Sequence, residues 1–364
     1  MKIAHVVDSM DIGGAEIMVS QMCRLQREQG HDPCVFAIAH LGPLGEKMQA
    51  EGFSVTPNVG RHLSDSTWNF FRLFKALQPD VVHLHHQTPT IYASLAARIA
   101  GVPSVISTRH NLAGPPHKVV AELKFALASR RCHWVVGICD ATVDNLRKIH
   151  SAPARKITRI YNGAVPLVRE VQAELPSKSA FTLLYVGRLV PVKNHALLLN
   201  AFHAALSIMP RLRLWMVGDG SERAALETLA AELGIAAQVT FWGQQLDVTP
   251  FFSAADAFIM SSKSEGLPIS LLQAFSVGLP VIVTDVGGMA EVVRLAKAGL
   301  IVSTTDPAEM TSAILRLAGS SAERKQFSAN AEAAFRSSFS LETMVDAYMR
   351  LYRNTPAARR AAKG

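Results

Sequence analysis

Cysteine is scarce: Cys23, Cys34, Cys132 and Cys139 are all that 364 residues contain, and no two have C-x-x-C spacing. Each sits in an apolar periodic segment, which excludes a disulfide scaffold or a zinc ribbon and predicts four reduced packing thiols. Aromatic residues make up only 7% of the chain, and they do not interleave with the basic ones. That argues against nucleic acid as a partner. No apolar run approaches the roughly 18 residues of a membrane span, and the opening MKIAHVVD lacks the charged-then-apolar pattern of a signal peptide. A cytoplasmic protein is expected, and no repeat of short period is visible.

What the chain does have is apolar residues, at 49%, with charged residues at 18%. At about 100 to 200 residues per domain, two domains are expected. The net charge of +8 is unevenly spread: Lys and Arg outnumber Asp and Glu by 18 to 12 up to Ala164 and by 19 to 17 after it. A basic first half suits an anionic lipid surface, while solvated helix faces are the plainer explanation. Strand-like runs recur at Ile3 to Val7, Cys34 to Ala39, Phe53 to Pro57, Val81 to Leu84, Ser104 to Ser107, Trp134 to Ile138 and Ile157 to Tyr161, each separated by room for a helix. Such alternation predicts a parallel sheet with helices on both faces, binding ligands beyond the carboxyl ends of its strands. After the turn YNGAVP and a polar linker from Arg169 to Ser179 the pattern starts again at Phe181.

The densest stretch runs from Phe258 to Val293, FIMSSKSEGLPISLLQAFSVGLPVIVTDVGGMAEVV. It reads as strand, acidic loop, helix and strand. Glu265 stands in the loop, Gly266 allows close backbone approach, Leu267 and Pro268 open a helix to Val277, and Gln273 follows on it. A helix N-terminus beside a carboxylate suits a sugar that carries a diphosphate. Upstream, Arg188 and Lys193 straddle another strand-to-helix turn in VGRLVPVKN, and two cations so placed suit an anion between them. Gly13 and Gly14 bring backbone N–H groups to the mouth of the first helix. In TDVGGMAE, Glu291 most simply supports a helical turn, and no catalytic role is assigned to that loop. His83, His85 and His86 end a strand without an accompanying carboxylate or cysteine, so a metal is not expected there.

These motifs, in this order, resemble those of the retaining, nucleotide-sugar-dependent glycosyltransferases of family 4, the glycosyl transferases group 1. The resemblance covers nearly the whole chain. It implies an α/β architecture of the GT-B type, two Rossmann-like domains facing each other across a cleft. The acceptor-side domain would span 1–165, with a C-terminal helix 338–364 packing back on it, and the nucleotide-sugar domain would span 166–337. It further implies that Arg188 and Lys193 hold the donor diphosphate and Glu265 the sugar hydroxyls. His110, in PSVISTRH, would face the transferred sugar, and Gly13 and Gly14, in GGAE, would touch donor phosphate and acceptor. The family has two glutamates separated by seven residues; here the second position is Gln273, a departure, which would hold the ribose. No metal or other cofactor is implied. The acceptor would be a glycan or a lipid-linked molecule, with an anionic membrane surface as a further partner on the inner face of the cell membrane.

Other readings stay open at this stage. The same fold carries sugar-nucleotide epimerases and α-glucan phosphorylases, the latter on far longer chains, and Gln273 allows a non-catalytic nucleotide-sugar-binding protein. The segment His117 to Arg131 places Val119, Val120, Leu123, Ala126 and Leu127 at helical spacing among Lys118, Lys124, Arg130 and Arg131. It reads either as a helix lying on anionic lipid or as a core-facing helix with a basic exposed side.

Overall fold

A computed structural model describes residues 1–60, 63–112, 119–168 and 180–355. The linker expected over 169–179, the Pro115–Pro116–His117 segment with Lys118, and the basic tail from residue 356 lie outside those residues. The chain divides into two compact units, Met1–Gly163 with Leu341–Gly364, and Ala164–Ser340.

The first unit holds seven strands: β1 (Lys2–Val7), β2 (Asp32–Ala37), β3 (Ser54–Thr56), β4 (Val81–His85), β5 (Ser104–Arg109), β6 (Trp134–Gly137) and β7 (Ile157–Arg159). They pair in the order β3-β2-β1-β4-β5-β6-β7, every pair parallel. Their near-continuous burial is what a sheet covered on both faces requires. From β1 the chain winds outward to β3, then returns to β4 on the other side of β1. That reversal makes the carboxyl ends of β1 and β4 a topological switch point, where such sheets form a crevice. The helix Leu341–Arg353 belongs to this unit, with Met344, Tyr348 and Tyr352 buried.

The second unit repeats the plan with six parallel strands: β8 (Phe181–Val186), β9 (Leu212–Val217), β10 (Val239–Gly243), β11 (Ala257–Met260), β12 (Val281–Thr284) and β13 (Gly299–Val302). Their order is β10-β9-β8-β11-β12-β13, so the switch point falls between β8 and β11. The loops carrying Arg188 and Lys193, after β8, and Glu265, after β11, emerge there side by side.

All four cysteines are buried and free. Two local expectations shift. Pro268 is not in the first helical turn but caps the helix Ile269–Ser276, its ψ of 134° being extended. The apolar spacing from Ala322 to Ser337 predicts one helix, whereas the helix runs from Ser321 to Ala334, its first turn held by the Ser320 hydroxyl, and widens into a π-turn at Phe335–Phe339.

A larger correction concerns the helix Val119–Ser129. Val119, Val120, Leu123 and Leu127 are 64%, 67%, 70% and 54% exposed. The core-facing alternative is therefore wrong for these residues, because it is Phe125, Ala128 and Ser129 that turn inward.

Candidate active site

In the second unit, β8 ends and the chain turns through Gly187 and Arg188 into a short 3-10 turn, Pro191–Lys193. Asn194 then adopts a left-handed conformation, φ 55°, before the helix His195–Ile208 begins. This turn aims Lys193 at the neighbouring loop, where its ammonium is ion-paired with the Glu265 carboxylate, each side chain 14% exposed. The Ser262 hydroxyl donates to the same carboxylate oxygen at 3.0 Å. Bonds to backbone carbonyls stitch the two loops together: Ser261 Oγ donates to the Lys193 carbonyl at 2.9 Å and Lys263 N to the Val192 carbonyl at 2.8 Å. Arg188 is exposed and has no carboxylate partner among the described residues, its backbone carbonyl accepting from Tyr185 Oη at 3.1 Å. Burial, and then the Glu265 carboxylate, push the Tyr185 phenol well above its ordinary range, so it remains a neutral donor.

The loop after β12 supports this arrangement. Thr284 Oγ1 donates to the Ser262 carbonyl at 2.6 Å, and Gly288 N to the Gly266 carbonyl at 2.7 Å. Gly287 has φ +48°, and a Cβ there would stand 1.9 Å from the Glu265 carbonyl oxygen. Only glycine fits so close an approach. The TDVGG loop, to which the sequence assigned no catalytic role, thus positions the Glu265 loop from behind, a relation that spacing along the chain does not reveal. Gly287→Ala is expected to displace the Glu265 loop and lower turnover roughly ten- to thirtyfold, since small misplacements of reacting groups are costly. Turnover within twofold of the parent would show that the loop gives way harmlessly. Gly218 and Gly220 of VGDG play a comparable part, packing on Gly187 O and Leu189 O.

Gly266 and Leu267 are buried and Pro268 half-buried ahead of the helix. Gln273 is half-buried, on the partly open helix face it shares with Ile269, Ser270 and Ser276, while Leu271, Leu272, Ala274 and Phe275 fill the core. Its side chain makes no hydrogen bond within the described residues, which leaves the amide available.

In the first unit the groups cluster at the carboxyl ends of β1, β4 and β5. Gly13 caps the helix Gly14–Glu28, and Gly14 is exposed with open space where a Cβ would lie. Asp8 follows β1; burial raises its pKa, while a bond with Thr88 opposes the rise. His86 follows β4 with φ +74° and ψ −176°, a strained conformation for a side-chain-bearing residue. Burial brings its pKa down to about 4. His110 follows β5, buried, its ring centroid 4.6 Å from that of His86. Asp8 and His86 were not singled out by sequence reasoning as site groups. Their signal was position alone, one residue past an apolar strand.

His5 was also missed. It joins His83 and His85 in a buried trio whose ring nitrogens lie within 4.8 Å of one another, a grouping able in principle to hold a metal ion. Each nitrogen already has a side-chain partner, however: Gln26 and His85 for His5, Tyr352 and Thr108 for His83, His5 and His110 for His85, all at 2.7 to 3.2 Å. A trio whose lone pairs and protons are already matched is a poor metal site.

The Glycosyltransferase Family 4 model matches residues 12–166, and that of Glycosyl transferases group 1 matches residues 169–334. Lipopolysaccharide core biosynthesis glycosyltransferase LpsD of Rhizobium meliloti is 27% identical over 363 residues, covering 97% of this chain and 98% of that protein. LpsE of the same organism is 31% identical over 194 residues, and this match spans only 53% of the chain and 56% of the relative. The solved structure of Anabaena Alr3699/HepE in complex with UDP-glucose superposes with a TM-score of 0.85 at 19% identity, over 96% of this chain and 99% of that one. That likeness shows the fold, GT-B, with its two Rossmann-like units.

Proposed function

Because the chain belongs to the family 4, group 1 glycosyltransferases, we propose that it moves a sugar from a nucleoside diphosphate to an acceptor hydroxyl with retention of anomeric configuration. The observation that carries this is the Lys193–Glu265–Ser262 group at the β8/β11 switch point, with Arg188 exposed beside it. Arg188 and Lys193 neutralise the leaving diphosphate, and the helix end at Pro268 adds to the same stabilisation. Glu265 orients the sugar hydroxyls. By the family resemblance His110 meets the transferred sugar, and Gly13 and Gly14 meet donor phosphate and acceptor. The sugar–phosphate bond breaks as the acceptor oxygen bonds the anomeric carbon on the same face, and the acceptor proton passes to the departing phosphate. With protein cations taking the diphosphate charge, no metal is required. Gln273 bonds the ribose with a neutral amide, one acceptor oxygen and an NH2, in place of a carboxylate.

The names of the relatives support an acceptor in lipopolysaccharide or another envelope glycan. A panel of nucleotide sugars incubated with envelope extract, with the product linkage read by NMR, tests the proposal. An inverted linkage would refute retention, and isomerisation of the donor without acceptor would favour an epimerase.

Such an acceptor is lipid-linked, and the exposed Val119, Val120, Leu123 and Leu127, with Lys124 and Arg130 exposed beside them, suit an anionic membrane face. Trp68, Phe71, Ala96 and Ile99 line a shallow apolar hollow in the same unit. No helix among the described residues is long and apolar enough to cross a membrane. Reversing Lys118, Lys124, Arg130 and Arg131 to Glu is expected to abolish binding to phosphatidylglycerol-containing vesicles, and parent binding should weaken with salt. A parent that ignores such vesicles at low salt would remove the membrane from the reading.

A further inference from the structure

Four buried side chains of the first unit pass a hydrogen bond across the sheet. Gln26 Oε1 lies 2.9 Å from His5 Nε2, His5 Nδ1 lies 3.0 Å from His85 Nε2, and His85 Nδ1 lies 3.2 Å from His110 Nε2. His110 Nδ1 ends the series, buried and without a partner among the described residues. Burial, the largest cause in each case, lowers the pKa of His5 to about 4 and those of His85 and His110 well below their ordinary value. All three rings are therefore neutral near pH 7. A neutral imidazole has one N–H and one lone pair, and every contact in the series must match a proton to a lone pair. The three tautomers are consequently not independent, and setting one sets the others.

The amide of Gln26 supplies the setting. Its carbonyl oxygen only accepts, so His5 carries its proton on Nε2 and offers a bare Nδ1. His85 then carries its proton on Nε2, and so does His110. We propose that Gln26, His5 and His85 are positioning residues that lock His110 in the Nε2–H tautomer, leaving Nδ1 as a bare acceptor for a hydroxyl of the transferred sugar. The sugar contact rests on the glycosyltransferase reading of His110; the polarity of the relay does not. A buried acceptor without a donor is costly, and an incoming hydroxyl removes that cost. A sugar hydroxyl is selected over an oxygen that lacks a hydrogen, which a bare Nδ1 repels.

Selective 15N-histidine NMR of the full chain tests the relay, with the His110 signals identified by their loss in His110→Gln. The parent should show a protonated Nε2 and a bare Nδ1 at His110; the opposite tautomer, which an amide turned end for end would impose, overturns the proposal without any variant. Gln26→Leu removes the setting group, and a second His110 tautomer should appear at roughly a tenth or more of the population, a bias below about 1.4 kcal/mol. A folded Gln26→Leu protein that keeps a single unchanged tautomer also overturns it. UDP-glucose is the probe for the sugar contact, with UDP as control. His110 Nδ1 should move with UDP-glucose and not with UDP; an equal response to both, or none, overturns the sugar contact and leaves the relay polarity standing.

Discussion

Glu265→Gln is expected to bind UDP at least as tightly as the parent while losing about a hundredfold or more of turnover, whereas Lys193→Ala is expected to lose both. The opposite signs follow from the ion pair. The Lys193 ammonium is held by the Glu265 carboxylate, so an arriving diphosphate must share that cation with a like-charged neighbour. Gln removes the competing charge and keeps the shape, but it no longer offers a carboxylate to the sugar hydroxyls. Ala at 193 removes a charge-assisted bond of about 1.5 to 3 kcal/mol, hence roughly ten- to a hundredfold in UDP affinity, and leaves Glu265 beside the diphosphate without its ion-pair partner. From the sequence alone, Lys193 and Arg188 are both expected to face solvent, so that removing either would change folding little. That holds only for the exposed Arg188. Lys193→Ala strands a mostly buried carboxylate, so its melting temperature should fall while that of Arg188→Ala stays near the parent. Calorimetry with UDP, donor turnover and melting curves on the three variants decide it. A Lys193→Ala protein with parental UDP affinity and turnover would take the pair out of the site.

Legibility in the sequence followed the range of the interactions. Strand-by-strand burial leaves a local signature, so β8 begins at Phe181, where the apolar pattern resumes, whereas the C-terminal helix, expected over 338–364, runs from Leu341 to Arg353. Loop groups next to a strand end, such as Glu265, could be named as candidates because their chemistry and position are both local. What could not be read is lateral order. Gln26, His5, His85 and His110 meet because β1, β4 and β5 are neighbours, and nothing in the spacing 5, 26, 85, 110 encodes that. Gly287 meets Glu265 for the same reason, through the pairing of β11 with β12. The helix Val119–Ser129 illustrates a different limit. Helical spacing of apolar residues gives a face, and only the packing tells whether that face looks inward.

The histidines also set how the protein meets acid. Burial depresses His5, His86 and His133 to about 4, and His83, His85 and His110 well below their ordinary value of 6.5. An unfolded chain takes up these protons as the pH falls through 6.5, while the folded unit refuses them until the pH is well below that. The unfolded state therefore binds more protons throughout that window, and stability present above pH 6.5 is lost as the pH falls. Each such group acts in the same direction, so the slopes of several together make the loss steep. Asp8, with its pKa raised, opposes the trend weakly, as one carboxyl against six imidazoles. The second unit carries a single histidine of this kind, His195, at about 4. The first unit should therefore lose stability toward acid at a higher pH than the second, and the tryptophans can report each separately: Trp68 and Trp134 lie in the first, Trp215 and Trp242 in the second. Single-tryptophan variants melted between pH 8 and pH 4.5 make the measurement. Melting temperatures that stay level for Trp134 down to pH 5 would mean that the buried imidazoles accept protons in the folded state, and with that the neutral relay at His110 would fall as well.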